Sequence, residues 1–150
     1  MPERPGFEIP PRLTPTDDHG YFEQMTKAIF QAGFSWQVVN AKWPNFQQAF
    51  DGFDTDRVAA YDIEDIDRLL SDPGIIRNGR KIEATVLNAI QFQAIRREFG
   101  SFVAYLRSLD ALPYRDRQKT LSKRFKNLGR TSVFVFLWCV NEEVPDWEAR

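Results

Sequence analysis

From Thr16 onward, apolar residues recur three and four positions apart in one segment after another, and each segment closes on a glycine, a proline or a short polar run. That spacing lines one face of an α-helix, whereas a half-buried strand needs strict alternation. Tyr21, Met25, Ala28, Ile29 and Ala32 form the first stripe, opened by Thr16-Asp17-Asp18 as cap and acidic first turn and stopped by Gly33. Ser35 is placed to cap a second helix containing Trp36, Val38 and Val39, and Pro44 to open a third that runs toward Phe50. Asp54-Thr55 starts a short helix through Val58 and Ala60, and Asp62 to Leu70 sets Ile63, Ile66, Leu69 and Leu70 on one face. Beyond Pro73-Gly74, Asn78-Gly79 opens a long helix with Ile82, Val86, Ala89 and Ile90 as its stripe and Gly100 as its end. Ser101 caps another short helix, and a polar, basic stretch after Pro113 leads to Leu121, Phe125 and Leu128. The apolar run Val133 to Val140 is too short to cross a bilayer, and a lone strand there would have no partner, so a buried central helix is predicted over Thr131 to Asn141. The expectation is an all-α, compact helical bundle. Residues 1-16, with Pro2, Pro5, Pro10, Pro11 and Pro15, form an extended Pro-rich arm, and 17-150 form a single helical domain.

At 150 residues, with 13 Phe and 43% hydrophobic residues, the chain can fill a core without staples. Its one cysteine, Cys139, has no partner for an internal disulfide, and the N-terminus lacks the pattern of a signal peptide, which points to a reducing cytoplasm. The formal net charge of −1 hides an uneven distribution. Residues 1 to 73 carry 6 Lys/Arg against 13 Asp/Glu, whereas residues 74 to 130 carry 13 against 4. A basic middle segment inside a near-neutral protein suits a surface that meets phosphates, although a solvated face has the same composition.

Two segments can carry chemistry. The first is Asp72-Pro-Gly-Ile-Ile-Arg-Asn-Gly-Arg-Lys-Ile82, between two helices. Gly74 and Gly79 permit positive φ and close backbone approach, and the next helix aims free N–H groups outward. Arg77, Arg80 and Lys81 add positive charge around them. With Ile75 and Asn78 the segment forms an anion cradle that would grip a DNA backbone without reading bases. A plain tight turn between helices accounts for the glycines equally well. The second segment is Gln31-Ala-Gly-Phe-Ser-Trp36, where an exposed aromatic separates two helices. Flipping a base needs a side chain to stack on it and another to fill the gap, and Trp36 suits the first task and Phe34 the second.

Gln31-Ala-Gly-Phe-Ser-Trp36, Asn45-Phe-Gln-Gln-Ala-Phe50, Phe53-Asp54, Val58-Ala-Ala60, Gly74-Ile-Ile-Arg77 and Lys81-Ile82, in this order and spacing, resemble the DNA-3-methyladenine glycosylase I family. The similarity runs without gaps from about Tyr21 to Ala89 and continues weakly in Leu121-Ser-Lys123 and Gly129 to Asn141. It implies a helix–hairpin–helix DNA glycosylase fold and a role in base-excision repair. There an alkylated purine such as 3-methyladenine is flipped from damaged double-stranded DNA and its N-glycosidic bond is hydrolysed, with no cofactor and with the protein acting as a monomer. No catalytic residue can be assigned. A cationic base leaves with little help from an acid, so a pocket of Trp36, Gln31 and Tyr21 is expected to work through binding.

The chain departs from the family in three places. The pocket glutamate is replaced by Ala28. The family's zinc, held by two Cys and two His, cannot be assembled from His19 and Cys139, so no metal is expected. Arg4-Pro-Gly-Phe7 carries Pro5 where a ligand would stand, Asp146-Trp147 falls where a ligating histidine would, and Phe7, Ile9 and Leu13 are expected to anchor the arm instead. The missing carboxylate keeps an alternative open, a non-catalytic binder of damaged or abasic DNA. A helical module that meets an acidic protein through Arg115 to Arg130 is a third reading.

Overall fold

The computed structural model describes residues 9–150. The Arg4 to Phe7 segment of the sequence reading lies outside them. Eight helices account for the architecture, with no strand among the described residues: α1 Asp18–Gln31, α2 Trp36–Ala49, α3 Thr55–Ala59, α4 Ile63–Leu70, α5 Gly79–Phe99, α6 Phe102–Ser108, α7 Tyr114–Arg124 and α8 Arg130–Cys139. Short 3-10 turns at Asp51–Phe53 and Trp147–Ala149 complete it.

Six of the eight helices begin at a capping side chain, the exceptions being α7 and α8, which follow Pro113 and Gly129. Asp17 accepts from Gly20 N, Ser35 from Val38 N, Asn78 from Lys81 N and Ser101 from Ala104 N, so orphan donors of four first turns are satisfied. Asp62 and Asp65 form a reciprocal capping box on α4. The acidic cluster Asp62, Glu64, Asp65 and Asp67 therefore serves a helix start.

Burial corrects three details of the expected pattern. Pro44 does not open a helix; it lies inside a continuous α2. Its missing N–H removes one bond of the ladder, but Trp43 stacks on Phe46 at 4.9 Å and on Phe53 at 5.2 Å, which keeps both halves of α2 against one core. Ile63 is 76% exposed and Leu70 is exposed too, leaving Leu69 as the buried residue of α4. On α5, Ile90 is exposed and Ile82, Ala84, Thr85, Asn88, Ala89, Phe92 and Ile95 face inward, because this helix packs against α1, α3, α4 and α6 and needs a wider buried face than one stripe.

The core is aromatic. Phe22 contacts Phe53 and Phe92 edge-on, Phe92 stacks on Phe102 at 4.5 Å, and Phe102 meets Phe136 at 6.0 Å, linking α1, α5, α6 and α8. Each fully buried Phe contributes about 1.5–3 kcal/mol over an exposed one. The helix at Arg130–Cys139 is buried from Ser132 through Leu137, as the apolar run requires.

The arm is held by polar contacts more than by Leu13, which is 72% exposed. Arg12 lies 4.3 Å over the Trp138 ring and donates to the carbonyls of Trp138 and Glu142. Trp138 Nε1 donates to Pro10 O, Leu13 N to Cys139 O, and Asn141 to Thr14. An extended segment has free backbone groups on both sides, and the end of α8 satisfies them, so a hydrophobic anchor at Leu13 is unnecessary.

Candidate nucleic-acid interface

The turn between α4 and α5 is ordered by side chains within it and by α2. Asp72 accepts from Gly74 N at 2.8 Å, Asn45 of α2 donates to Gly74 O at 3.2 Å, and Ile75 buries its side chain in the core. A Cβ at Gly74 would stand 3.1 Å from Asn45 and from Asp72. Close approach, then, explains the glycine, because neither Gly74 nor Gly79 is among the positive-φ residues. This corrects the expectation that the pair supplies left-handed backbone.

Asn78 caps α5, and the N–H groups of Gly79 and Arg80 find no acceptor among the described residues. Arg77 and Arg80 are exposed, with no ion pair or hydrogen bond in that same range. Free donors and two free guanidinium groups thus share one helix start, where the peptide dipoles favour an anion.

Lys81 is committed elsewhere. Its ammonium donates to Ala32 O at 2.6 Å and reaches Phe30 O at 3.4 Å, and it lies 5.4 Å from the centre of the Phe34 ring. These carbonyls are the unpaired ones at the end of α1, so Lys81 caps that helix from a distant part of the chain and ties the two candidate segments side by side. Burial lowers its pKa, as expected for an ammonium half removed from water.

The second segment is a sharp turn. Gly33 takes φ +86, a left-handed conformation in which a Cβ is strained. Phe34 N donates to Gln31 O and Gln31 Nε2 to Phe34 O, while Phe34 itself is 42% exposed. An exposed Phe held at a tight turn beside Lys81 is not there for the core. Two residues on, Trp36 is 6% exposed, its Nε1 buried and without a hydrogen-bond partner among the described residues, and Ala28 is buried at 1%.

Tyr21 stands apart from this group. It packs on Phe102 at 5.1 Å and senses the charges of Glu142, Arg107 and Asp18, with burial the main reason its pKa is raised. Ten residues of helix separate it from Gln31, about 15 Å at 1.5 Å per residue, so one base cannot touch both. Tyr21 is thereby removed from the pocket expected in the sequence.

Two residues went unnoticed in the sequence. Glu23 Oε2 accepts from Trp43 Nε1 and from Gln47 Nε2, both at 2.8 Å. One turn on, Lys27 lies over Trp36 and Trp43. The i, i+4 spacing of Glu23 and Lys27 on α1 was a legible signal, but their meeting with α2 was not.

A zinc ion does not fit the residues present. His19 Nδ1 accepts from Thr55 N, Cys139 is buried with its thiol pushed up to about 12 by desolvation, and no group of three or more metal-binding side chains exists among the described residues.

The fold is that of the helical 3-methyladenine DNA glycosylases. It superposes on 3-methyladenine DNA glycosylase I from Staphylococcus aureus with a TM-score of 0.76 at 28% identity, covering 85% of this chain and 78% of that one. A second crystal structure of 3-methyladenine DNA glycosylase I gives 0.76 at 33% identity, covering 85% and 81%. In sequence, the chain is 36% identical to DNA-3-methyladenine glycosylase 1 of Escherichia coli over 141 residues, covering 81% of this chain and 75% of that protein. The family model described as Methyladenine glycosylase matches residues 13–133. The chain belongs to the methyladenine glycosylase family.

Proposed function

We propose that the chain is a DNA glycosylase of base-excision repair that takes an alkylated purine out of duplex DNA and hydrolyses its N-glycosidic bond. Family membership supports damaged DNA as the partner and favours turnover over a purely binding role. The observation that carries the reading is the Lys81 bridge, which sets the free cations of one turn beside the exposed aromatic of another.

In this reading Arg77, Arg80 and the N–H groups of Gly79 and Arg80 hold a phosphate, with Gly74, Ile75 and Asn78 shaping the turn. Phe34 enters the duplex where the base has left. Trp36 and Gln31 receive the base, with Ala28 as the floor of the pocket. Water is the nucleophile, and the chain acts as a monomer. Positioning and desolvation lower the barrier, since an alkylated leaving group departs readily.

The test is incubation with methylated duplex DNA and chromatography of the released bases. Free alkylated purine is expected. Tight binding with no release from any of several lesions would overturn the glycosylase reading in favour of a non-catalytic binder.

A further inference from the structure

The basic stretch from Arg115 to Arg130 has no role in the reading above, yet the fold builds a cavity into it. About 360 Å³ opens where the start of α7, the start of α8 and the turn at Trp147–Ala149 meet, with Tyr114, Arg115, Arg130, Pro145, Glu148 and Arg150 among the lining residues. Arg115 and Arg130 are exposed and have no ion pair or hydrogen bond among the described residues. Arg150 is held beside them. Its Nε donates to Thr131 Oγ1 at 3.2 Å, its Nη1 donates to Trp147 O at 2.8 Å, and its guanidinium lies 3.9 Å from the centre of the Trp147 ring. Glu148 is the one acidic side chain on the lining. Both helices start without a side-chain cap, and the N–H groups of Arg115, Arg130 and Thr131 find no acceptor among the described residues. Two first turns beside the cavity therefore keep their orphan donors.

We propose that this cavity is a binding site for the phosphate monoester of a small molecule, separate from the DNA interface. A guanidinium fork matches phosphate oxygens in pairs, and arginines with no internal partner are free to offer it. Two free guanidinium groups suit the near-dianion that a monoester carries at neutral pH better than the single charge of a diester or a carboxylate. Arg150 offsets Glu148, and the two helix starts add partial positive charge. The volume falls within the range of small-ligand pockets, and Tyr114 and Pro145 give the group that bears the phosphate an apolar wall. Position sets the site apart from the base pocket. It adjoins Arg130, the first residue of α8, whereas Cys139, the last, is near enough to interact electrostatically with Lys27, which lies over Trp36. That length of helix is about 14 Å at 1.5 Å per residue, so one small ligand does not fill both.

The test uses the intact chain carrying Arg77→Gln and Arg80→Gln, so that the hairpin no longer competes for phosphate. Calorimetry measures binding of deoxyadenosine 5′-monophosphate, its methyl diester, deoxyadenosine and inorganic phosphate, and amide NMR shifts locate each probe. The monoester is expected to bind most tightly, with shifts at Arg115, Arg130 and Thr131. Adding Arg115→Gln and Arg130→Gln should weaken it by roughly 10- to 100-fold through lost charged hydrogen bonds. Both side chains are exposed, so thermal melting should not change. Adding Glu148→Gln instead should tighten the monoester by about threefold, because a like charge is removed. Equal affinity for the diester, affinity indifferent to residues 115 and 130, shifts confined to other surfaces, or no binding of any phosphate probe overturns the proposal. Inorganic phosphate binding as tightly as the monoester also overturns it, since the attached group then has no place in the cavity. A glutamate-rich peptide that displaces the monoester at lower concentration does the same and makes this face a protein contact.

Discussion

Cationic and aromatic side chains meet at several places in this molecule, and two of those places behave oppositely. At the seam between the arm and α8, Arg12 stacks on Trp138 and donates to the carbonyls of Trp138 and Glu142, so its charge is engaged within the fold. At the turn before α5, Lys81 reaches the Phe34 ring, and its chain neighbours Arg77 and Arg80 have no ion pair or hydrogen bond among the described residues. The first arrangement closes the fold; the second leaves it open toward a ligand. What separates a structural cation from a binding one here is its unsatisfied donors, since arginine stands at both.

Substitutions sharpen that contrast. Phe34→Ala on the open side should slow release of an alkylated base by roughly 10- to 100-fold in single-turnover assays while the melting temperature stays nearly constant, because the ring is largely exposed. Arg12→Ala on the closed side should do the converse, costing about 1–2 kcal/mol in denaturant unfolding through lost stacking and hydrogen bonds, with duplex affinity unaltered. If Arg12→Ala weakens DNA binding as much as it weakens the fold, the division between the two regions is wrong. Lys81→Met sits between the regions. It leaves the carbonyls of Phe30 and Ala32 uncapped, so about 1 kcal/mol of stability and a several-fold loss of duplex affinity should appear together.

The smallest effect belongs to Asp56, whose carboxyl pKa is lowered chiefly by the Arg96 hydrogen bond and then by Gln93. A depressed carboxylate stabilises the fold above its unfolded pKa and loses that contribution as pH falls through the folded value. The pair is open to solvent, so Asp56→Asn should cost under about 1 kcal/mol at pH 7 and flatten the acid side of the stability profile below about pH 4. An unchanged acid limb would show that the pair contributes nothing.

Helix starts were the most legible part of the sequence, because Asp17, Ser35, Asn78 and Ser101 act on their own first turns and need no distant partner. Long-range packing was not legible. Pro44 reads as a helix start until the aromatic ladder of Trp43, Phe46 and Phe53 holds α2 straight through it. Ile90 reads as core until α5 is seen to need a broader inner face. The same holds at the site. Gln31 to Trp36 and Asp72 to Lys81 could be singled out locally, but the reach of Lys81 across 49 positions to Ala32 could not. Tyr21 shared a helical stripe with Ala28, yet its neighbours proved to be Phe102 and the charges around Glu142. The hold of the arm on α8 shows only in three dimensions, through Arg12 and Trp138.

The claim that Arg77 and Arg80 are open because they hold phosphates is tested most directly by the salt dependence of duplex affinity. For wild type and the Arg77→Gln, Arg80→Gln double variant, the slope of log K against log salt is measured with matched alkylated DNA. The account predicts a slope shallower by about 2 in the double variant, near one unit for each phosphate contact removed. An identical slope in both proteins would contradict it.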